Sequence, residues 1–264
     1  MIDRRVESIR TETPTLEGSS MSHYLEDGYH GDAAAYAPEN ARLAFIRRTY
    51  LHLAVSVAAL VGVEALLLQA VNTQSGQEVL AQWFRSPISL LVILGLFIAG
   101  GFLARYLARA NMPPAVKYLG LAMYIAIEAV FLLPILFYAT QNPRFGGMQI
   151  INEAALLTMV TFGGLTLTVF ITKMDFSGIG PYLFAAGWVL FAVMLAGFIF
   201  GFGLGLWISF ACIALAAGYI LYDTSNILHH YRTDEHVGAS LELLADVVLL
   251  FYHILRVLMY TRNN

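Results

Sequence analysis

The sequence predicts an all-α integral membrane protein, a bundle of seven transmembrane helices, and three observations predict it. Only 12% of its 264 residues are charged, against about 25% in a soluble globular domain. Hydrophobic residues make up 58% of the chain and its mean hydropathy is +0.67. The stretch 176–222 contains no Asp, Glu, Lys or Arg, and it is too long for a single crossing. A soluble fold of this length could bury a core but could not clothe its surface with so few charges, so lipid serves as the outer surface.

The elements follow in order. Residues 1–40 are polar and acidic on balance, too poor in apolar area to offset ordering entropy, so the spacing predicts a disordered acidic tail. The start, MIDRRVESIRTETPTLEGSS, has no apolar core of a signal peptide, so the first membrane helix is expected to act as its own insertion signal. Residues 41–264 then form one transmembrane domain. A helix needs roughly 20 apolar residues to cross about 30 Å of hydrocarbon, and the spans read 50–70, 87–107, 115–139, 150–171, 182–200, 204–222 and 239–260. Gly201, Gly203 and Gly205 mark the turn that divides the uncharged stretch. Pro134 and the pair Gly163-Gly164 lie inside spans, where kinks or close helix contacts are tolerated.

Orientation follows from Lys and Arg in short loops. Arg42, Arg47 and Arg48 precede the first span, Arg105, Arg109 and Lys117 flank the second connection, Lys173 sits in the fourth and Arg232 in the sixth. The intervening loops hold only Arg85 and Arg144. The N-terminus is therefore expected in the cytoplasm; seven crossings put Arg262 on the far side, against the same rule. A net charge of −3 gives no basic footprint for nucleic acid. The lone Cys212 excludes an internal disulfide and a Cys-rich metal site. Arg outnumbers Lys, which points to a bacterial inner membrane rather than an organelle.

Ionisable residues within spans are costly and face the bundle interior or water. They are Glu64, Glu128, Asp223, Glu242, Asp246, His253 and Arg256. On the last helix, Glu242, Asp246, His253 and Arg256 fall within an arc of roughly 80° together with Leu249. That stripe belongs against other helices or water; the alternative is an amphipathic helix lying in the interface. The sixth and seventh helices form a hairpin turning near 232–237, and Asp223 and Asp246 sit almost equally far from that turn, at similar depth. If they touch, both cannot ionise cheaply, so the pair holds a proton, and its deprotonated form suits a hard cation such as Ca²⁺. Otherwise Asp223 marks a helix end.

The run GYILYDTSNILHHY (218–231) followed by LELLADVVLLFYHILRVL (241–258) resembles the paired C-terminal signature of the Bax inhibitor family, the transmembrane Bax inhibitor motif proteins. Tyr222-Asp223, Asp246 and Leu255-Arg256 match it; AVKYLGLAMY with LLPIL (115–136) and ITKMDFSGIGPYLF (171–184) match the third helix and fourth loop. The resemblance covers about residues 45–260. It implies a seven-helix bundle with the last helix central, and a proton-sharing Asp223–Asp246 pair that gates a Ca²⁺ leak. It also implies an arginine contact to that pair from the second helix, by Arg105 or Arg109. The chain departs from the family pattern in gaining His253 on the last helix and Glu128 on the third.

The expected function is thus a pH-sensitive calcium or cation leak, not an enzyme. Asp223 and Asp246 are its switch and calcium ligands, and Glu64, Glu128 and Glu242 line its path. Calcium is the transported ion; no cofactor is expected. A second reading is a non-conducting regulatory protein that modulates a protease or cell-death machinery through membrane-protein partners. A third is an intramembrane zinc hydrolase built from Asp223, His52, His229, His230 and His253, although no HExxH or G-x-S-x-G occurs.

Overall fold

The computed structural model describes residues 33–83, 87–109, 111–201, 203 and 205–263. The elements are α1 (Glu39–Val71), α2 (Gln74–Trp83), α3 (Pro87–Leu107), α4 (Pro114–Gln141), α5 (Met148–Thr172), α6 (Gly180–Phe200), α7 (Trp207–His229) and α8 (His236–Asn263). Short 3-10 turns lie at Pro143–Phe145 and Ser177–Ile179. Hydrocarbon offers no partner for backbone N–H and C=O groups, so a lipid-embedded chain satisfies them within helices. Among the described residues α1, α4, α5, α6, α7 and α8 are long and apolar enough to cross a membrane; α3 carries a shorter apolar stretch, Leu91–Leu107.

The helix boundaries differ from the predicted spans in ways that follow from charge. α1 begins at Glu39, behind Pro38, with its acidic residue in the first turn, where the helix dipole favours it. Its 33 residues reach about 50 Å, so the turns carrying Arg42, Arg47 and Arg48 project beyond the hydrocarbon. α2 was not anticipated, because its apolar residues are few. It starts where Thr73 Oγ1 accepts from the Gly76 N–H at 3.2 Å, and it buries Leu80 with Val71 and Leu133.

The predicted disordered tail lies, for residues 1–32, outside the described residues. The described end of that segment does not dangle. The Ala34 N–H donates to the Tyr231 carbonyl at 2.8 Å, Ala33 and Arg232 form an antiparallel bridge, and Ala34 is fully buried.

Packing grades the helices. α7 and α8 make the most extensive contact, and α8 also packs against α1, α4 and α5. Half of the most apolar window of α8 is buried (50%), against 6% for α6, which packs on α7. Leu241, Leu243, Leu244, Leu250 and Leu255 of α8 are fully buried. In the last turn of α8, Arg262 is neutralised by Glu153, its Nη2 lying 2.7 and 2.6 Å from the two carboxylate oxygens, and it also donates to the Phe145 carbonyl. The charge that the loop-charge rule counts against seven crossings is thus paired within the protein.

Glycines behave differently from expectation. A Cβ on Gly163 or Gly164 would meet nothing within 4 Å, so this pair makes no close helix contact. The close approach lies at Gly120, where a Cβ would sit 2.7 Å from the Ala104 carbonyl oxygen and 3.0 Å from Leu107 Cβ. The glycine turn is where it was expected: Gly201 and Gly205 have φ of 72° and 58°, and Gly201 closes α6 by donating to the Gly197 carbonyl at 3.0 Å.

Gly120→Ala should push α3 off α4 and destabilise the protein by about 1–3 kcal/mol, seen as a lower thermal unfolding midpoint in detergent. Gly163→Ala should leave the midpoint unchanged or slightly raised. Equal behaviour of the two variants would remove the close approach at Gly120.

Candidate functional site

The predicted polar stripe of α8 faces two neighbouring cavities. The first, of about 950 Å³, is walled by Arg105 of α3, Arg109 just past its end, Tyr219, Asp223 and Asn226 of α7, and Glu242, Asp246 and Leu249 of α8. The second, of about 660 Å³, is reached by Tyr124 and Glu128 of α4, Met194 of α6, and Leu249, His253 and Arg256 of α8. Arg105, Ala245 and Leu249 line both. The helical spacing of the stripe is the reason: i, i+4, i+7, i+11 and i+14 stay on one face.

Asp223 and Asp246 are both buried, and both line the first cavity together with Asn226. Asp246 Oδ2 is buried with no donor facing it. Neither arginine reaches the aspartates directly. Arg105 instead donates through Nε to both oxygens of Glu242, at 2.8 and 3.2 Å, and its guanidinium stands 5.4 Å from the Tyr124 ring centroid. Tyr124 in turn shares a side-chain hydrogen bond with Glu128. Arg109 lies over its own helix neighbour, 5.2 Å from the Tyr106 centroid. The contact ascribed to the second-helix arginine thus runs from Arg105 to Glu242, one turn before Asp246.

Three other predicted residues are placed as follows. His253 is buried in the wall of the second cavity with an unpartnered Nδ1, its ring edge-on to Tyr252 at 5.0 Å. Arg256 lines the same cavity. Glu64 lines neither; it is buried on α1 with both carboxylate oxygens unpartnered, so the structure does not bring it to the aspartates.

The family described as "Inhibitor of apoptosis-promoting Bax1" matches residues 42–263 of this chain. The chain belongs to the Bax inhibitor family. Protein lifeguard 4 of Mus musculus is 28% identical over 250 residues, covering 92% of this chain and 96% of that protein. Bax inhibitor 1 of Schizosaccharomyces pombe is 31% identical over 237 residues, covering 87% and 81%. The Golgi anti-apoptotic protein of Vaccinia virus (strain Lister) is 27% identical over 241 residues, covering 91% and 95%. These matches bear out the resemblance carried by the C-terminal helix pair.

In this Bax inhibitor family member the described histidines fall into separate places, His52 beside His236 with ring centroids 4.9 Å apart, His229 beside His230, and His253 by itself. His52 contacts the Arg48 carbonyl at 2.7 Å and the Tyr118 hydroxyl at 2.9 Å; His229 Nδ1 contacts the Ser225 carbonyl at 2.9 Å; His253 is in the second cavity. Among the described residues no group of three or more His, Cys, Asp or Glu is arranged to hold a metal ion.

One constellation was missed by the sequence reading. The loop between α5 and α6 is pinned to α7 by Ser225, whose Oγ accepts from the Phe176 N–H at 2.8 Å and donates to Asp175 Oδ1 at 3.1 Å. Asp175 Oδ1 also accepts the Ser177 N–H at 2.9 Å, the local Asx turn that Asp-Phe-Ser-Gly encodes. That backbone donor holds the Asp175 carboxyl below its ordinary value.

Arg105→Gln should leave Glu242 without its partner in a half-wet cavity, costing about 1–2 kcal/mol, read as a lower unfolding midpoint. Glu242→Gln in the same background should recover part of it. For Asp175, the charged form is the one the loop binds. Its contribution is fully present above the ordinary carboxylate range, near about pH 4, and is lost as pH falls through the lowered value. Proteolytic cleavage at 173–177 should therefore rise on acidification in the wild type, and should already be high and less acid-sensitive in Asp175→Asn.

Proposed function

We propose that this Bax inhibitor family member is a pH-responsive cation leak, with Ca²⁺ as cargo, in which Asp223 and Asp246 form the switch. The observation that supports it is the placement of two buried carboxyl groups, from adjacent helices, in the wall of one cavity, with an acceptor oxygen of Asp246 that no donor faces. A shared proton between them would supply that donor. Losing the proton leaves two repelling charges and biases the α7–α8 hairpin towards a second arrangement. The partition formed by Arg105, Ala245 and Leu249 between the two cavities is the constriction that such a change opens. Glu242 on one side and Glu128 on the other give a passing cation oxygen partners on both sides.

The reading includes seven crossings, with α3 as the shortest, arranged about α8. The N-terminus and the acidic segment 1–40 face the cytoplasm, as the positions of Arg42, Arg47, Arg48, Lys173 and Arg232 support. The excess of Arg over Lys supports a bacterial inner membrane; the relatives named above come from a mouse, a yeast and a virus and lend that part no support.

A second reading, a regulatory membrane protein that conducts nothing and acts through membrane-protein partners, is favoured by the name of the viral relative, an anti-apoptotic protein. The two differ in flux. In proteoliposomes across about pH 5 to 8, the wild type should pass Ca²⁺ in a pH-dependent way, and Asp223→Asn and Asp246→Asn should each flatten that dependence. Folded protein with no flux above empty liposomes would leave the regulatory reading standing, with residues 1–32 the segment to delete next.

A further inference from the structure

A third cavity lies apart from the aspartates, where the start of α1, the end of α5 and the end of α7 meet. It encloses about 670 Å³, and Glu39, Arg42, Lys173 and His229 supply its ionisable groups. Ile46 and Phe170 belong to its apolar wall. Among the described residues neither Arg42 nor Lys173 has an ion-pair partner. His229 is fixed in place by its Nδ1 contact to the Ser225 carbonyl, at 2.9 Å.

Two of these basic residues have an ordinary local reason to be there. Lys173 caps α5 and His229 ends α7, and cations at helix C-termini complement the dipole. Arg42 has no such reason. It stands in the first turn of α1, at the positive end of that dipole, where only Glu39 offsets it. Among the described residues Glu39 is the one carboxylate in this lining, set against Arg42 and Lys173, so the cavity can take a further anion.

The position says which anion. The three basic groups occur at the ends of membrane-crossing helices, on the side of the α7–α8 turn, and the apolar wall continues into the spans. Basic pockets between helices at this level are suited to phosphodiester headgroups, with acyl chains lying along the helices. We propose that this cavity binds the headgroup of an anionic glycerophospholipid from the surrounding leaflet, with Arg42 and Lys173 on the phosphodiester. The site is independent of whether the protein conducts ions, and its occupant would link the segment before α1 to the end of α7, six residues beyond Asp223.

The test uses the full chain, delipidated in a neutral detergent, and titrated with dioctanoyl phosphatidylglycerol, dioctanoyl phosphatidylcholine or inorganic phosphate. Binding is read by native mass spectrometry and by the shift in thermal unfolding. The anionic lipid should bind at least about tenfold tighter than the zwitterionic one. Arg42→Gln/Lys173→Gln should abolish that preference, and Arg42→Lys/Lys173→Arg should retain most of it. Arg47→Gln/Arg48→Gln, which removes the same charge outside the cavity, should leave it intact. Equal binding of the two lipids, or equal loss in the Arg47/Arg48 variant, overturns the site. Displacement of the lipid by inorganic phosphate at comparable concentration overturns the assignment to a lipid. Where the glutamine double variant does not fold, Arg42→Gln alone is read against the same criteria.

Discussion

The polar stripe on α8 is the constraint around which the other helices are arranged. A helix that carries Glu242, Asp246, His253 and Arg256 on one face cannot present that face to hydrocarbon, because unpaired ionisable groups in a low dielectric are costly. The stripe therefore faces two cavities, and the apolar remainder, with Leu243, Leu250 and Leu255, is buried against α1, α4, α5 and α7.

The same constraint organises the electrostatics. Glu242 is tolerated because Arg105 comes across from α3, and Arg105 is held there by the face of Tyr124. Glu128 shares the Tyr124 hydroxyl. Arg105 and Glu242 place each other across two helices, so α3, which otherwise packs chiefly on α4, is tied to α8 by charge rather than by apolar area.

Much of this was legible in the sequence, and the reasons it was or was not are local. The stripe and the shared depth of Asp223 and Asp246 follow from 100° per residue and from counting out from a turn, which need no tertiary information. The partner of Arg105 was not legible, because it lies 137 positions away and helix rotation decides whether two faces meet. Gly163-Gly164 looked like a contact motif, yet small residues only permit close approach, and here no helix takes it up. The Asp175–Ser225 anchor was hidden because its signal, a short Asx turn, is common in loops that touch nothing. The Arg262–Glu153 pair was not legible either, because the loop-charge rule counts charges without asking whether one is paired.

The burial of α8 has a consequence for biogenesis. α8 is synthesised after the seven other described helices, yet it supplies the surface on which α1, α4, α5 and α7 all close. Earlier helices enter the bilayer before that surface exists, and Glu64 and Glu128 must wait in the translocon or among lipids without their final surroundings. Insertion and assembly are then separate stages, and the bundle closes only after translation of its final hairpin. A nascent chain stalled before Asp246 would be an inserted but unassembled set of helices, the state that membrane quality control is built to find.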